Sequence, residues 1–120
     1  MSAKKILIID DDAELCEELA DMLTGEGHVV SCASDPGKGA DIIRNGSYDA
    51  VLLDNKMPGV TGIDILKKMK TENINCKVIM ISGRPFIEKA LAEEGLSGMV
   101  AGVISKPIDF SILLSKLKSL

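Results

Sequence analysis

The chain has 120 residues, enough for one domain with a real core and too few for two ordinary ones, so residues 1–120 are read as a single domain. Hydrophobic residues make up 46% against 27% charged, which argues for a compact globule over disorder, and with 2% aromatics the core must be aliphatic. A formal charge of -4 argues against direct nucleic-acid contact by this domain, since phosphate binding needs a surplus of Lys and Arg on some face.

Lys4 and Lys5 lead into the aliphatic run Ile6 to Ile9, which is four residues long and ends in aspartates. It is neither a signal peptide nor a membrane span, so a cytoplasmic location without membrane contact is expected. The first strand is read over Lys5 to Ile9, followed by a helix from Ala13 to Thr24 with Leu15, Leu19, Met22 and Leu23 at helical spacing and Gly25 as its stop. A mixed strand, Val29 to Ala33, belongs near a sheet edge. Asp35 and Pro36 supply an N-cap and an N1 proline for a helix ending at Asn45. The aliphatic run Ala50 to Asp54 is a central strand, and a third helix runs from about Gly62 to Glu72. A fourth strand spans Lys77 to Ser82, a fourth helix follows Pro85, and a fifth strand covers Gly102 to Ser105. The last helix starts at Ile108 or Asp109 and carries Leu113, Leu114 and Leu117 inward. Five strand and helix pairs in alternation predict an α/β fold with a parallel sheet. Right-handed crossovers then gather the C-terminal ends of all strands on one rim.

Few polar residues occupy those strand ends: Asp10 and Asp11, Asp54, Ser82 and Lys106. Two carboxylates about 4 Å apart repel by roughly 4 kcal/mol at an effective dielectric near 20, so a cluster that stays ionised calls for a cation. Three carboxylates, a hydroxyl and an ammonium form a coherent set for Mg²⁺ and a phosphoryl group, with Asp54 as a candidate nucleophile. Asp12 directly precedes the first helix and is read as its N-cap. In "MPGVTG", Pro58 and Gly59 turn the chain beside the site and Gly62 lets the third helix approach it.

Four stretches, "ILIIDDD", "YDAVLLDNKMPGVTG", "VIMISG" and "ISKP", occur in order on the predicted strands. In them the sequence resembles, over its whole length, the CheY-like response-regulator receiver domains of bacterial two-component signalling. The resemblance implies a (βα)5 flavodoxin-like three-layer sandwich whose five parallel strands lie in the order 2-1-3-4-5. It implies that Asp54 accepts a phosphoryl group from a phosphohistidine on a sensor histidine kinase or histidine phosphotransfer protein. Mg²⁺, with Mn²⁺ as an alternative, would be held by Asp11, Asp54 and the backbone carbonyl of Lys56, with Asp10 acting through a coordinated water. Lys106 would contact the phosphoryl oxygens, Ser82 would turn to hydrogen-bond the attached group, and the Lys106-Pro107 peptide would be cis, which proline permits. Lys56 and Arg84 stand where the family tunes the lifetime of the phosphoryl group. The output partner or domain is left open, a phosphorylation-dependent homodimer included, and the surface implied is the fourth helix, fifth strand and fifth helix. Self-phosphorylation and autodephosphorylation would be intrinsic chemistry of a signalling domain and not enzyme turnover.

The sequence departs from the family at Val103, where an aromatic residue often precedes the lysine by three positions; valine is stiff at χ1 and has no polar tip, so aromatic switching as usually described is excluded. That departure motivates a second reading, a receiver fold that binds a partner without phosphorylation. A third class rests on Asp10-x-Asp12, which resembles the nucleophile motif of haloacid-dehalogenase phosphatases with Asp10 phosphorylated. Glu14 stands where that family expects Thr or Val, and the chain is short for its cap. Glycines in "EEGLSGMVAG" predict an early end to the fourth helix and a mobile loop. Cys16, Cys32 and Cys76 are odd in number and widely spaced, so they are read as reduced, buried small hydrophobes and not as a disulfide framework or zinc site. His28 is read as a surface residue, the methionines as core filler, and Lys67, Lys68 and Lys70 as a solvated helix face.

Overall fold

Aliphatic runs with no polar alternation need cover on both faces, and the computed structural model of the chain provides it. It describes residues 3–33, 35–57, 59–83 and 87–120. The main strands are β1 (Lys5–Ile9), β2 (Val29–Ala33), β3 (Ala50–Asp54), β4 (Lys77–Ser82) and β5 (Val100–Ser105), all parallel, in the order β2-β1-β3-β4-β5. The helices are α1 (Ala13–Gly25), α2 (Gly39–Asn45), α3 (Gly62–Thr71), α4 (Ile87–Glu93) and α5 (Phe110–Lys118). A two-residue hairpin, Lys56–Met57 against Val60–Thr61, lies between β3 and α3. The expected (βα)5 three-layer sandwich and its strand order are therefore present.

The period-2 pleat divides the aliphatic residues into two cores. Ile6, Ile8, Leu52, Ile79 and Ile81 pack with Cys16, Leu19 and Leu23 of α1 and Leu113 and Leu117 of α5. Leu7, Ile9, Val51, Leu53 and Met80 pack with Ile43 of α2, Ile65, Leu66 and Met69 of α3 and Leu91 of α4. Burial of both faces of β1, β3 and β4 fixes their register, because a slip of one residue would exchange the two cores.

Side-chain caps set the helix starts. Asp12 Oδ1 accepts from Leu15 N at 3.1 Å, as its position before α1 predicts, and Asp109 Oδ1 accepts from Ser111 N and Ile112 N at the start of α5. Thr61 and Asp64 form a reciprocal capping box on α3. The second helix differs from expectation: Pro36–Lys38 form a 3₁₀ turn in which Asp35 Oδ1 accepts from Gly37 N, and the α-helix begins only at Gly39. Glycines at 37 and 39 weaken helical propagation there.

The early end of α4 is present, yet the segment after it is anchored. Leu96 is fully buried, its N–H donates to Leu91 O at 2.8 Å, and Lys70 Nζ donates to Gly95 O at 3.0 Å. A 3₁₀ turn, Ser97–Met99, then feeds β5, which starts two residues before the sequence suggests. The lysines of α3 also do more than face water. Lys67 pairs with Glu94 at 3.1 Å, and Lys68 joins a network with Asp41, Glu72 and Arg44. Each exposed pair contributes at most about 1 kcal/mol.

Other single-residue expectations shift as well. Met57, Met69 and Met80 are buried, but Met22 is 44% exposed on the outer side of α1. His28 is half-buried, and its Nδ1 accepts a hydrogen bond from Lys4 N at 3.0 Å, which fixes the chain entering β1. Cys16 is buried, Cys76 is intermediate and Cys32 is exposed, because β2 is an edge strand and its outer residues lack cover. Burial first, then the neighbouring Cys32, pushes the Cys16 thiol up to about 12. Among the described residues no helix is long and apolar enough to cross a membrane.

Candidate functional site

The C-terminal ends of β1, β3, β4 and β5 open onto one cleft of about 800 Å³, lined by Asp10, Asp11, Asp12, Asp54, Asn55, Lys56, Thr61, Ser82, Gly83 and Lys106. Asp10 and Asp54 are buried, at 3% and 2% exposure, while Asp11 is exposed. One carboxylate oxygen from each lies within 4.8 Å of the others. Lys106 Nζ sits 3.0 Å from Asp54 Oδ1 and 3.9 Å from Asp10 Oδ2. Its backbone N–H donates to Ser82 O at 3.0 Å, so the β4–β5 ladder sets the reach of the ammonium, and the Lys106-Pro107 peptide is cis. The Ser82 side chain is buried at 5% exposure on the same rim.

Burial is the largest influence on Asp10 and holds its carboxyl above the usual value; the charges of Asp54 and Asp11 act the same way, against the Asp12 N–H and Lys106. For Lys106, burial pulls the ammonium down, but its hydrogen bond and charge pairing with Asp54, with Asp10 and Asp11 behind, leave it raised. Two linkage consequences follow. The Lys106 pairing contributes fully below its ordinary 10.5 and is lost as pH rises through the higher folded value. Asp10 works against the metal-free fold once pH climbs past 3.8 and through its raised folded value, where ionisation becomes unfavourable. An Asp10→Asn variant, whose carboxamide oxygen can still accept from Asp12 N, is therefore expected to raise the urea midpoint when divalent ions are chelated. An unchanged or lower midpoint would count against that reading of the buried charge.

Asn55, next to Asp54 and 2% exposed, ties the start of α3 to β4: its N–H donates to Ile81 O of β4, while its carbonyl accepts from Gly62 N and its Oδ1 accepts from Ile63 N at 3.4 Å. Gly62 sits against this corner so closely that a Cβ there would lie 2.8 Å from Asp54 O and 3.1 Å from Asn55 Cα. Because backbone is what it would strike, Gly62→Ala is expected to cost about 1–3 kcal/mol in urea unfolding and to displace the corner that carries Asp54. Gly59, with φ of +77°, forms the turn of the hairpin that presents Lys56.

Asp10, Asp11, Asp54, Ser82 and Lys106 are thus all brought to one cleft, as their strand-end positions predict, and Lys56 lines it with them. Val103 stands apart: it is half-buried and lines a separate groove of about 360 Å³ with Leu91 of α4 and Lys116 of α5. Arg84, Pro85 and Pro58 lie outside the described residues. Two participants escape a reading of strand ends alone. Thr61 stands in a T-x-x-D spacing to Asp64, a capping signature that could have placed it at the start of α3. Asn55 carries no such signal, since a carboxamide after a strand reads as an ordinary turn residue.

The donor set fits a hard divalent cation: carboxylate oxygens, one of them exposed enough to leave room for waters, and, among the described residues, no imidazole or thiol on the cleft side chains. Comparison with known proteins agrees with the fold. The response regulator receiver domain family matches residues 6–118. The transcriptional regulatory protein TcrA of Mycobacterium tuberculosis is 29% identical over 120 residues, which are all of this chain and 47% of TcrA. The chain thus spans about half the length of the curated relatives it matches. Among solved structures, a CheY-like receiver domain protein from Methanospirillum hungatei is similar with a TM-score of 0.85 and 30% identity, covering 98% of this chain and 93% of that one. The response regulator TrrA from Thermotoga maritima, in complex with Mg²⁺ and BeF, is similar with a TM-score of 0.81 and 25% identity, over 97% of each chain. Since the family match takes in all five main strands and the whole acidic rim, the chain belongs to the response regulator receiver domains.

Proposed function

We propose that the chain is the phosphoacceptor of a two-component phosphorelay, taking a phosphoryl group from a phosphohistidine of a sensor kinase or phosphotransfer protein onto Asp54. The observation that carries this reading is the pairing of a buried carboxylate at the end of a central strand with an ammonium 3.0 Å away, beside two further carboxylates. Asp10, Asp11 and Asp54, with the Lys56 carbonyl, would hold Mg²⁺, which supplies charge neutralisation to the phosphoryl oxygens when bound. One Asp54 oxygen attacks phosphorus, the bond from phosphorus to the donor imidazole breaks, and the imidazole leaves with the bonding pair. Lys106 neutralises the oxygens of the transferring group, and Ser82 hydrogen-bonds it once attached. Lys56 and Arg84 tune how long it stays.

The output surface in this reading is the face of α4, β5 and α5, where Val103 borders the groove. A small aliphatic side chain there makes the response a shift in packing and not the rotation of a ring. Beryllofluoride with Mg²⁺ tests the scheme. Large amide shifts at Ser82, Lys106 and α4 in the ¹⁵N spectrum are expected. An unchanged spectrum would favour a receiver fold that binds its partner without phosphorylation.

A further inference from the structure

Cys16 and Cys32 lie outside the lining of the acidic cleft, and the phosphoryl chemistry uses neither. Along β2, Val30 packs into the core beneath α1 and α5 while Ala33 belongs to the opposite core, so the pleat puts Cys32 on the α1 face. The ladder sets Cys32 opposite Ile8, a member of the same core as Cys16. Just beyond Ile8, the carbonyl of Asp10 accepts a hydrogen bond from Cys16 Sγ at 3.7 Å. Both side chains thus face the α1–β2 interface, close enough for Cys32 to influence the Cys16 thiol.

The geometry points to a reversible disulfide between Cys16 and Cys32, joining α1 to the edge strand and formed by exchange with a small disulfide of the glutathione type. Of the two thiols only Cys32 is exposed, so the oxidant enters there. The Cys32 thiolate attacks one sulfur of the donor, forming a mixed disulfide and releasing the first donor thiolate. Cys16 then attacks the Cys32 sulfur and gives its proton to the second donor thiolate as that leaves. In sum, two protein thiols become one disulfide and one donor disulfide becomes two thiols. Oxidation also removes the S–H that donates to the Asp10 carbonyl, so the staple acts on the backbone of a residue whose carboxylate lines the acidic cleft.

Cys76 hydrogen-bonds to Tyr48 O before the start of β4, at the opposite rim, and Cys76→Ser removes it from the assay without touching the pair. That variant is incubated with oxidised glutathione, quenched by alkylation and weighed intact. The expected product has lost two hydrogens, resists alkylation at both positions, yields a peptide joining Cys16 to Cys32 and returns to the starting mass with dithiothreitol. With Cys16→Ala added, the reaction should stop at one glutathionyl group on Cys32. A parent variant that itself stops at that mixed disulfide, dimerises through Cys32 or keeps both thiols would overturn the proposal.

Discussion

An Asp54→Asn variant is expected to take up no phosphoryl group from acetyl phosphate and Mg²⁺, where the parent chain takes up close to one per molecule. The carboxamide keeps the shape of the side chain and an oxygen for Lys106, 3.0 Å away, so the fold should survive. What it lacks is the nucleophile: a neutral amide oxygen does not attack phosphorus at a useful rate, and removal of a group that forms the covalent bond is all or nothing. Labelling with a radioactive donor, with circular dichroism as the control for folding, checks this. Retention of stoichiometric labelling in a folded Asp54→Asn protein would sink the assignment of Asp54.

Mg²⁺ is expected to have the largest effect on stability. Two carboxylates no more than 4.8 Å apart repel by at least about 3.5 kcal/mol at an effective dielectric near 20, and Lys106 offsets only part of this because it is shared between Asp10 and Asp54. A bound divalent ion relieves that repulsion in the folded state alone. At a concentration one hundred times its Kd it should add about 2.7 kcal/mol, which for a domain of this size is a rise in Tm on the order of 10 °C. Chelation should reverse the rise and abolish labelling. Asp11→Ala, at an exposed position where the fold tolerates truncation, should lose most of the Mg²⁺-dependent rise while leaving the metal-free Tm equal or slightly higher, since one repelling charge is gone. An equal rise in both proteins would remove Asp11 from the metal site.

Most of the architecture is legible in the sequence because three of its strands are aliphatic on both faces, and such runs have few alternatives in a chain of this length. The site is legible for a related reason. A parallel sheet sends its strand ends to one rim, so Asp10, Asp11, Asp54, Ser82 and Lys106 can be grouped without knowing a single distance. What stays hidden depends on partners distant in sequence. Leu96 is an unremarkable leucine between glycines until α4 and β5 close over it, which is why the segment after α4 reads as loose and is anchored. Asn55 acts through Gly62 and Ile63, and only the folded corner shows that its amide and carbonyl hold the start of α3. Cys32 reads as a small buried hydrophobe from its residue type, but its mixed run lies at the sheet edge, where β2 is paired on one side only and leaves it open. Val103 was legible as a departure at once, whereas the groove it borders depends on α4 and α5 closing around β5.

The most direct test of the account locates the phosphoryl group itself. The parent chain is phosphorylated with a small donor and Mg²⁺, reduced with borohydride to convert an aspartyl phosphate to homoserine, digested and sequenced by mass spectrometry. Homoserine at position 54 is the predicted result. Homoserine at position 10, as a haloacid-dehalogenase-like nucleophile would give, or no converted aspartate under conditions that label the protein, would contradict it.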